Sequence, residues 1–500
     1  MSVEEGRMRG YNSVHGGGNA PGNSVETDRA TGGSRGDDLH RSHWLRQALA
    51  SEERCDAPLL TSSTATDVAI VGGGFTGLWT AIHLKQREPA CDVIVLEKDI
   101  CGGGASGRNG GFVLSWWPKI ATLAKICGRE EAVRLAHASE KAIGELGAFC
   151  QKHEIDADFR QEGWLWTAGT EAELGAWEPA VEICESFGHP LFERLPADEV
   201  AARSGSEQHI AGVLDPTAAI VDPGRLVRGL RRVALDLGVR IYEHTDVRAL
   251  GRTNPPTLRT LRGTVTASSV VLALHTWASN VRELSRRIFV VGSTIMVTPP
   301  IRDRLHEIGR TGGEALTDSL MRVHYSRITD DGRIAFGKGG VNLALAGWTS
   351  HRWDRNPAGL TEVMAGFQRL YPNLRDVGPD HDWAGPVDRS LSGLPVFGQL
   401  NPRSRIYYGA GYSGNGVGPT LMAGRILSGL ALGVSDEWSN CGLVGYDPGA
   451  LPPEPLRYLA GRVVLAGVRS KERAEINGRR PGRITEAIAG LAPVQFLPKR

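Results

Sequence analysis

The chain has 500 residues, 41% of them hydrophobic, and a formal net charge of +1, so bulk charge gives it no attraction to nucleic acid or to an anionic membrane. That length and apolar content can bury a large core, expected in two domains. Seven cysteines are scattered without a Cys-x-x-Cys pair, which argues against a zinc site or a disulfide framework and favours a reducing compartment.

No apolar run approaches the ~20 residues of a membrane span. The start of the chain shows no secretory or twin-arginine pattern, so a cytoplasmic location is expected. Residues 1–42 are polar, rich in Gly, Ser and Asn and without period, which predicts a disordered extension. "HWLRQALA" then predicts a short helix.

"DVAIVG" (67–72) is a buried-type strand, a glycine turn follows, "LWTAIHLKQRE" has helical spacing, and "DVIVLE" is a second strand. Segments 118–153 and 170–203 read as amphipathic helices, with a strand at "EGWLWTA" between them. "DPGRLVRGLRRVALDLG" is a helix with Pro and Gly at its start and Gly238 as its stop. Strands follow at "VRIYEHTDVRAL" and "TASSVVLAL", and the short strands and turns of 288–345 predict an antiparallel sheet. "RIYYGAGYSGNGVGPTLMAGRILSGLALG" is a strand, a glycine-rich turn and a long helix, and the tail beyond it is basic with helical stretches.

Gly72-Gly73-Gly74-Phe75-Thr76-Gly77 fits G-x-G-x-x-G between strand and helix, with Glu97 closing the next strand. In that setting Gly72 makes the tight turn, Gly74 lets backbone approach a pyrophosphate, and Gly77 lets the helix pack closely. The helix N-terminus faces the anion, and Glu97 can accept from ribose hydroxyls. A second match, Gly409 to Gly414, leads into a helix that no acid-tipped strand follows, so an NADPH fold there is incomplete. "CGGGASGRNGG" (101–111) lies just past the second strand. Its free N–H groups and Arg108 suit a pyrophosphate or a flavin edge, and a merely flexible loop is the alternative.

"DVAIVGGGFTGLWTAIHL", "GGGASGRNGG", "SSVVLAL" and "YYGAGYSGNGVGPTLMAG" together resemble the FAD-dependent glycine/D-amino-acid oxidase superfamily, in the same order across roughly residues 43–435. Within it the chain is most similar to the γ-glutamylputrescine oxidase-like branch and to its aminophosphonate oxidoreductase group. That group's "HYYR-x-T-x-DGR" appears here as "HYSRITDDGR", with Ser326 replacing a tyrosine. The resemblance implies a mixed α/β fold: a Rossmann-type FAD-binding domain with an inserted antiparallel substrate sheet. FAD would occupy 60–117, 205–283 and 385–435, and substrate 150–204 and 284–384. Residues 118–149 would be a helical connection and 436–500 a tail.

Cofactor contacts are then expected at Gly72, Gly74, Phe75, Thr76, Gly77, Glu97, Lys98, Ala105, Ser106, Arg108, Asn109 and Gly110. Val247 would meet the adenine by its backbone, and Gly411, Gly414, Asn415, Gly416, Val417, Gly418 and Thr420 would lie under the pyrimidine side of the flavin. A helix N-terminus there would stabilise negative charge on the reduced ring. The 409–420 loop has no His or Cys to tether FAD, so non-covalent binding is expected.

Above the ring, "RVHYSR" offers His324, Tyr325 and Arg327, with alternation placing Tyr325 and Arg327 on one face. Arg327 would pair with a carboxylate or phosphonate, and a surface arginine is the alternative. Lys338 is a candidate to assist O2 electrostatically. Trp116 and Trp383 are candidates to wall the pocket, with the core as the alternative. No metal is indicated. The expected activity is oxidation of a C–N bond in a small amine, with O2 as acceptor. A flavin reductase or monooxygenase using NAD(P)H, and a non-catalytic flavin-binding protein, are the competing readings.

Overall fold

The computed structural model describes residues 6–7, 41–52, 57–349 and 353–493. Residues 1–5 and 8–40 of the expected disordered extension lie outside them, while Gly6–Arg7 pair as an edge strand with Ala249–Gly251. Two large sheets organise the rest, with a two-stranded ribbon of Phe112–Val113 and Ala219–Ile220 beside them.

In the first, Thr64–Val71 lies between Val93–Leu96 and Thr264–Leu272, all parallel, with Arg240–Tyr242 on one side and Ile406–Ala410 on the other. The sequence dictates this: four successive buried residues at the end of Thr64–Val71 and an entirely buried Val93–Leu96 fit only a strand covered on both faces. The helices Phe75–Arg87, Pro223–Asp236 and Val417–Leu432 cover one face. The second of these is capped as its sequence predicts, with the Asp222 side chain accepting from Arg225 N at 2.9 Å and Pro223 in the first turn.

The second sheet has eight strands, in the order His381–Ser390, Ile288–Val297, Ile334–Leu343, His324–Ile328, Ala315–Thr317, Trp164–Ala168, Ala211–Asp215, Glu193–Leu195. Its first four are antiparallel neighbours, as the short-strand pattern of 288–345 predicts. Both expected borders at 205 and 385 cut through it. Ala211–Asp215 pairs with Trp164–Ala168, and His381–Ser390 runs unbroken along Ile288–Val297, so both belong to this sheet. The 170–203 segment is two shorter helices, Glu178–Ser186 and Ala197–Ser204, separated by the strand Glu193–Leu195. The C-terminal residues are not a detached tail. Helix Leu456–Ile476 docks on Ile334–Leu343, and its buried Glu472 carboxylate accepts from Arg322 N and Nε.

Candidate active site

The first glycine turn sits where strand Thr64–Val71 ends. Gly72 has φ +112, and a Cβ there would lie 2.3 Å from the Ala273 carbonyl oxygen; one on Gly77 would lie 1.9 Å from the oxygen of Gly72. Only bare backbone lets strand, turn and helix touch in this way. Gly74 has an ordinary φ, and its glycine is required by space: a Cβ would meet Ser106 Oγ at 2.8 Å. Ser106 Oγ accepts from Phe75 N at 2.8 Å, at the mouth of the helix. Glu97 accepts from Gly73 N at 2.8 Å and Asp99 N at 2.9 Å, and burial raises its carboxyl pKa. Thr76 Oγ1 donates to the Tyr412 hydroxyl at 2.9 Å, and the exposed Lys98 ammonium stands 3.8 Å over the Trp277 ring.

The 101–111 stretch is a stack of tight turns, not a flexible joint. Arg108 donates to Gly103 O at 2.6 Å, Gly104 O at 3.1 Å, Ala384 O at 3.2 Å and the Asp354 carboxylate at 2.7 Å. Asn109 donates to Ala105 O and Ser106 O and accepts from Gly111 N. Both side chains are consumed in holding the turns, which corrects the expectation that Arg108 offers charge to a pyrophosphate. What the stretch presents instead is half-buried backbone at Gly104, Ala105 and Gly110. Cys101 is fully buried beneath Gly73, and burial pushes its thiol pKa well up.

The second glycine motif does not open a separate nucleotide fold. Its strand, Ile406–Ala410, extends the first sheet beside Thr264–Leu272. Gly411 N donates to the Asp388 carboxylate, Gly414 is exposed, and Gly416 caps the helix Val417–Leu432. A Cβ on Gly418 would lie 3.2 Å from Leu114 O. Asn415 donates to Ser115 O at 3.3 Å and leaves its Oδ1 buried without a partner. Thr420 Oγ1 donates within its own helix, to Val417 O, so its hydroxyl is taken. Val247 is buried close to Glu97, in a segment whose Thr245 N donates to Glu97 O at 2.7 Å.

The second sheet roofs these turns. Register puts Phe289, Val291 and Ser293 on one face, opposite Arg389, Val387 and Gly385, with Tyr325 beside Gly337. All but the buried Gly337 are half-buried. The Tyr325 ring packs on Gly110 and edge-on to Phe112 at 6.0 Å, and its hydroxyl bonds Ser293 Oγ at 2.7 Å. Tyr325 therefore meets the glycine stretch.

The other roof candidates do not. Arg327 shares Tyr325's face but is 1% exposed, bound to Val221 O and Asp158, and stacked 5.0 Å over Trp44. Its guanidinium is spent inside the protein. His324 and Lys338 point to the opposite face, where the Lys338 ammonium lies 3.0 Å from His324 Nε2 and His324 Nδ1 lies 2.5 Å from Asp318. A whole sheet separates them from Gly110. Trp116 and Trp383 are core residues: Trp116 N donates to Ser139 Oγ, and Trp383 donates to Arg108 O and packs edge-on against Trp44.

Sequence reasoning missed Arg389. It lies six residues past Trp383 on the same strand, and simple alternation from Trp383 would have placed it on the roof face.

The arrangement fits FAD. A strip of half-buried backbone runs from Gly72 and Gly74 past Ser106 and Gly110 to Asn415 and Gly416, joining two helix N-termini beneath the roof. Side chains on this strip would fill it, as Gly74 shows.

Comparison with known proteins agrees. The profile of the family described as "DAO: FAD dependent oxidoreductase" matches residues 67–430. The chain is 31% identical to "Gamma-glutamylputrescine oxidoreductase" of Escherichia coli (strain K12) over 383 residues, 76% of this chain and 86% of that protein. It is also 31% identical to "Probable oxidoreductase OrdL" of Rhizobium meliloti (strain 1021), over 77% of this chain and 87% of that one. The fold matches the crystal structure of glycine oxidase from Geobacillus kaustophilus with a TM-score of 0.62 at 20% identity, covering 75% of this chain and 96% of that one.

Proposed function

The chain belongs to the DAO family of FAD-dependent oxidoreductases, and from that premise we propose that it oxidises a C–N bond of a small primary or secondary amine, with FAD held non-covalently and O2 as final acceptor. When bound, FAD supplies a two-electron acceptor, so that the substrate becomes an imine, which water cleaves to a carbonyl compound and ammonia (from a primary amine) or an amine (from a secondary one).

The observation that carries this reading is the strip of bare backbone between two helix N-termini, roofed by a face of Ile288–Val297 and His381–Ser390 that bears no carboxylate on those two strands. The turn Gly72–Gly77 would hold the pyrophosphate, Glu97 the ribose, and the Gly414–Gly418 turn the electron-rich edge of the ring. Tyr325, fixed by Ser293 and resting on Gly110, would set the spacing between ring and roof. The chemistry asks little acid–base help when the amine arrives neutral, and over the strip the roof offers Tyr325, whose hydroxyl burial holds protonated.

The test is anaerobic mixing of the purified protein with amines, amino acids and aminophosphonates, following the flavin's visible absorption. Bleaching by at least one amine is expected; bleaching by NADPH and by no amine would favour a reductase. The incorporation of the second glycine turn into the first sheet speaks against the reductase reading.

A further inference from the structure

Outside the candidate active site, one side-chain cluster has no part in the flavin reading. Among the described residues, His137, Glu140 and His189 bring three metal-ligating groups together, with one donor atom of each within 4.8 Å of the others. His137 and Glu140 stand three positions apart on the helix Arg129–Lys152 and so share a face. His189 comes from the turn between the helix Glu178–Ser186 and the strand Glu193–Leu195. Spacing along the chain therefore hides the cluster, and only the fold assembles it.

One indole organises the three. Trp117 is fully buried, the His189 ring stacks on it at 4.0 Å, and the His137 ring meets it edge-on at 4.9 Å. Its Nε1 donates to Glu140 Oε2 at 2.7 Å. A hydrogen bond of this kind, behind a ligating carboxylate, fixes the direction in which that carboxylate faces an ion. Glu140 Oε2 lies 3.1 Å from His189 Nε2 and 3.7 Å from His137 Nδ1. Those two separations bracket the ~3.3 Å between ligand atoms of a tetrahedral ion whose bonds are about 2.0–2.1 Å long. His189 Nε2 is buried and makes no hydrogen bond, although the carboxylate oxygen is so near. Burial, ahead of the nearby charges, lowers the His189 pKa, so this imidazole is neutral at neutral pH and keeps a lone pair to give. The His137 side chain is exposed and can turn to close the third side of the triangle.

We propose that His137, Glu140 and His189 bind one divalent ion of the zinc class, with water in the remaining position. Two imidazoles and one carboxylate suit Zn2+ and the late transition metals near it, whereas Mg2+ and Ca2+ take oxygen ligands. The ion would tie the helix Arg129–Lys152 to the turn that carries His189, and its effect is on the stability of the fold. The site goes beyond the amine-oxidation reading and does not depend on it.

The experiment uses the flavin-loaded, full-length protein, free of any affinity tag and washed with chelator. Zn2+ is titrated by calorimetry, with Mg2+ as the control, into wild type, His137→Ala, Glu140→Gln and His189→Gln. Wild type is expected to take up one tight equivalent of Zn2+ and to ignore Mg2+. Each variant should bind Zn2+ at least about tenfold more weakly, since loss of a ligand costs no less than loss of an outer contact. Co2+ in place of Zn2+ should give wild type a ligand-field band at wavelengths beyond the flavin's absorption, and the variants should lack it. Saturating Zn2+ should raise the urea midpoint of wild type and leave that of His137→Ala in place. The proposal is overturned if wild type binds no Zn2+, if Mg2+ binds as well, or if the three substitutions leave Zn2+ affinity unchanged. A midpoint that rises equally in wild type and His137→Ala overturns it too, because the ion then sits elsewhere. Should His189→Gln fail to fold, the exposed His137→Ala carries the same comparison.

Discussion

His324 and Lys338 face one another across paired strands, the ammonium 3.0 Å from Nε2, while Asp318 holds Nδ1 from the other side at 2.5 Å. The imidazole is neutral in this line: it donates from Nδ1 to the carboxylate and accepts at Nε2 from the ammonium. Burial, and next the Lys338 charge, bring its pKa down to about 4 from 6.5. Between those values the unfolded chain binds more protons than the native one. The stability that follows is therefore complete above pH 6.5 and is lost as pH falls towards 4, by up to roughly 3 kcal/mol. Urea midpoints measured from pH 7 to 4.5 should fall less steeply in His324→Gln. His43, His83 and His209 are depressed in the same direction and leave a residual slope.

Lys338 is 4% exposed, on the face turned away from the glycine turns. Lys338→Met should reoxidise with O2 at the wild-type rate once reduced, while unfolding at lower urea, because His324 Nε2 and Glu472 lose a buried partner at a cost of about 1–3 kcal/mol. Stopped-flow reoxidation separates the outcomes: a large loss of O2 reactivity would bring the ammonium back to the flavin side.

Arg327→Met should act on stability. It strips a charge partner from Asp158, a donor from Val221 O and a cation from the Trp44 face, for a loss of about 3 kcal/mol in urea unfolding. Preference between anionic and neutral amines should stay as in wild type. An unchanged midpoint with weakened anionic substrates would make Arg327 the anchor after all.

The purified protein should be yellow and release intact FAD on denaturation. Gly74→Val should purify without flavin, because its side chain enters the space before Ser106 Oγ. Glu97→Ala should weaken FAD by about ten- to hundredfold through lost charge-assisted hydrogen bonds, read by titrating apoprotein with FAD. Unaltered affinity would confine Glu97 to its bonds with Gly73 N and Asp99 N.

The geometry of the first glycine turn was legible because its signals are local. Gly72, Gly77 and Glu97 are fixed by strand, turn and helix within some thirty residues, and the structure places them accordingly. The roof was legible only to the level of faces. Alternation correctly put Tyr325 with Arg327 and His324 with Ser326, but which partner consumes a guanidinium is decided at long range. Asp158 lies 169 positions from Arg327, and Asp354 lies 246 from Arg108. The borders failed at 205 and 385 for the same reason, since Ala211–Asp215 is recruited by Trp164–Ala168 and not by its sequence neighbours.

The 101–111 stack is held from far along the chain: by Ser42 Oγ on Gly107 O, by Asp354 and Ala384 O on Arg108, and by Trp383 on Arg108 O. A nascent chain that has delivered only the first strand, turn and helix thus owns the fingerprint without the surface that accompanies it. The strand Ile406–Ala410 and the helix after it come later still. Synthesis must run past residue 430 before the cradle closes, so fragments ending in the middle of the chain should emerge colourless.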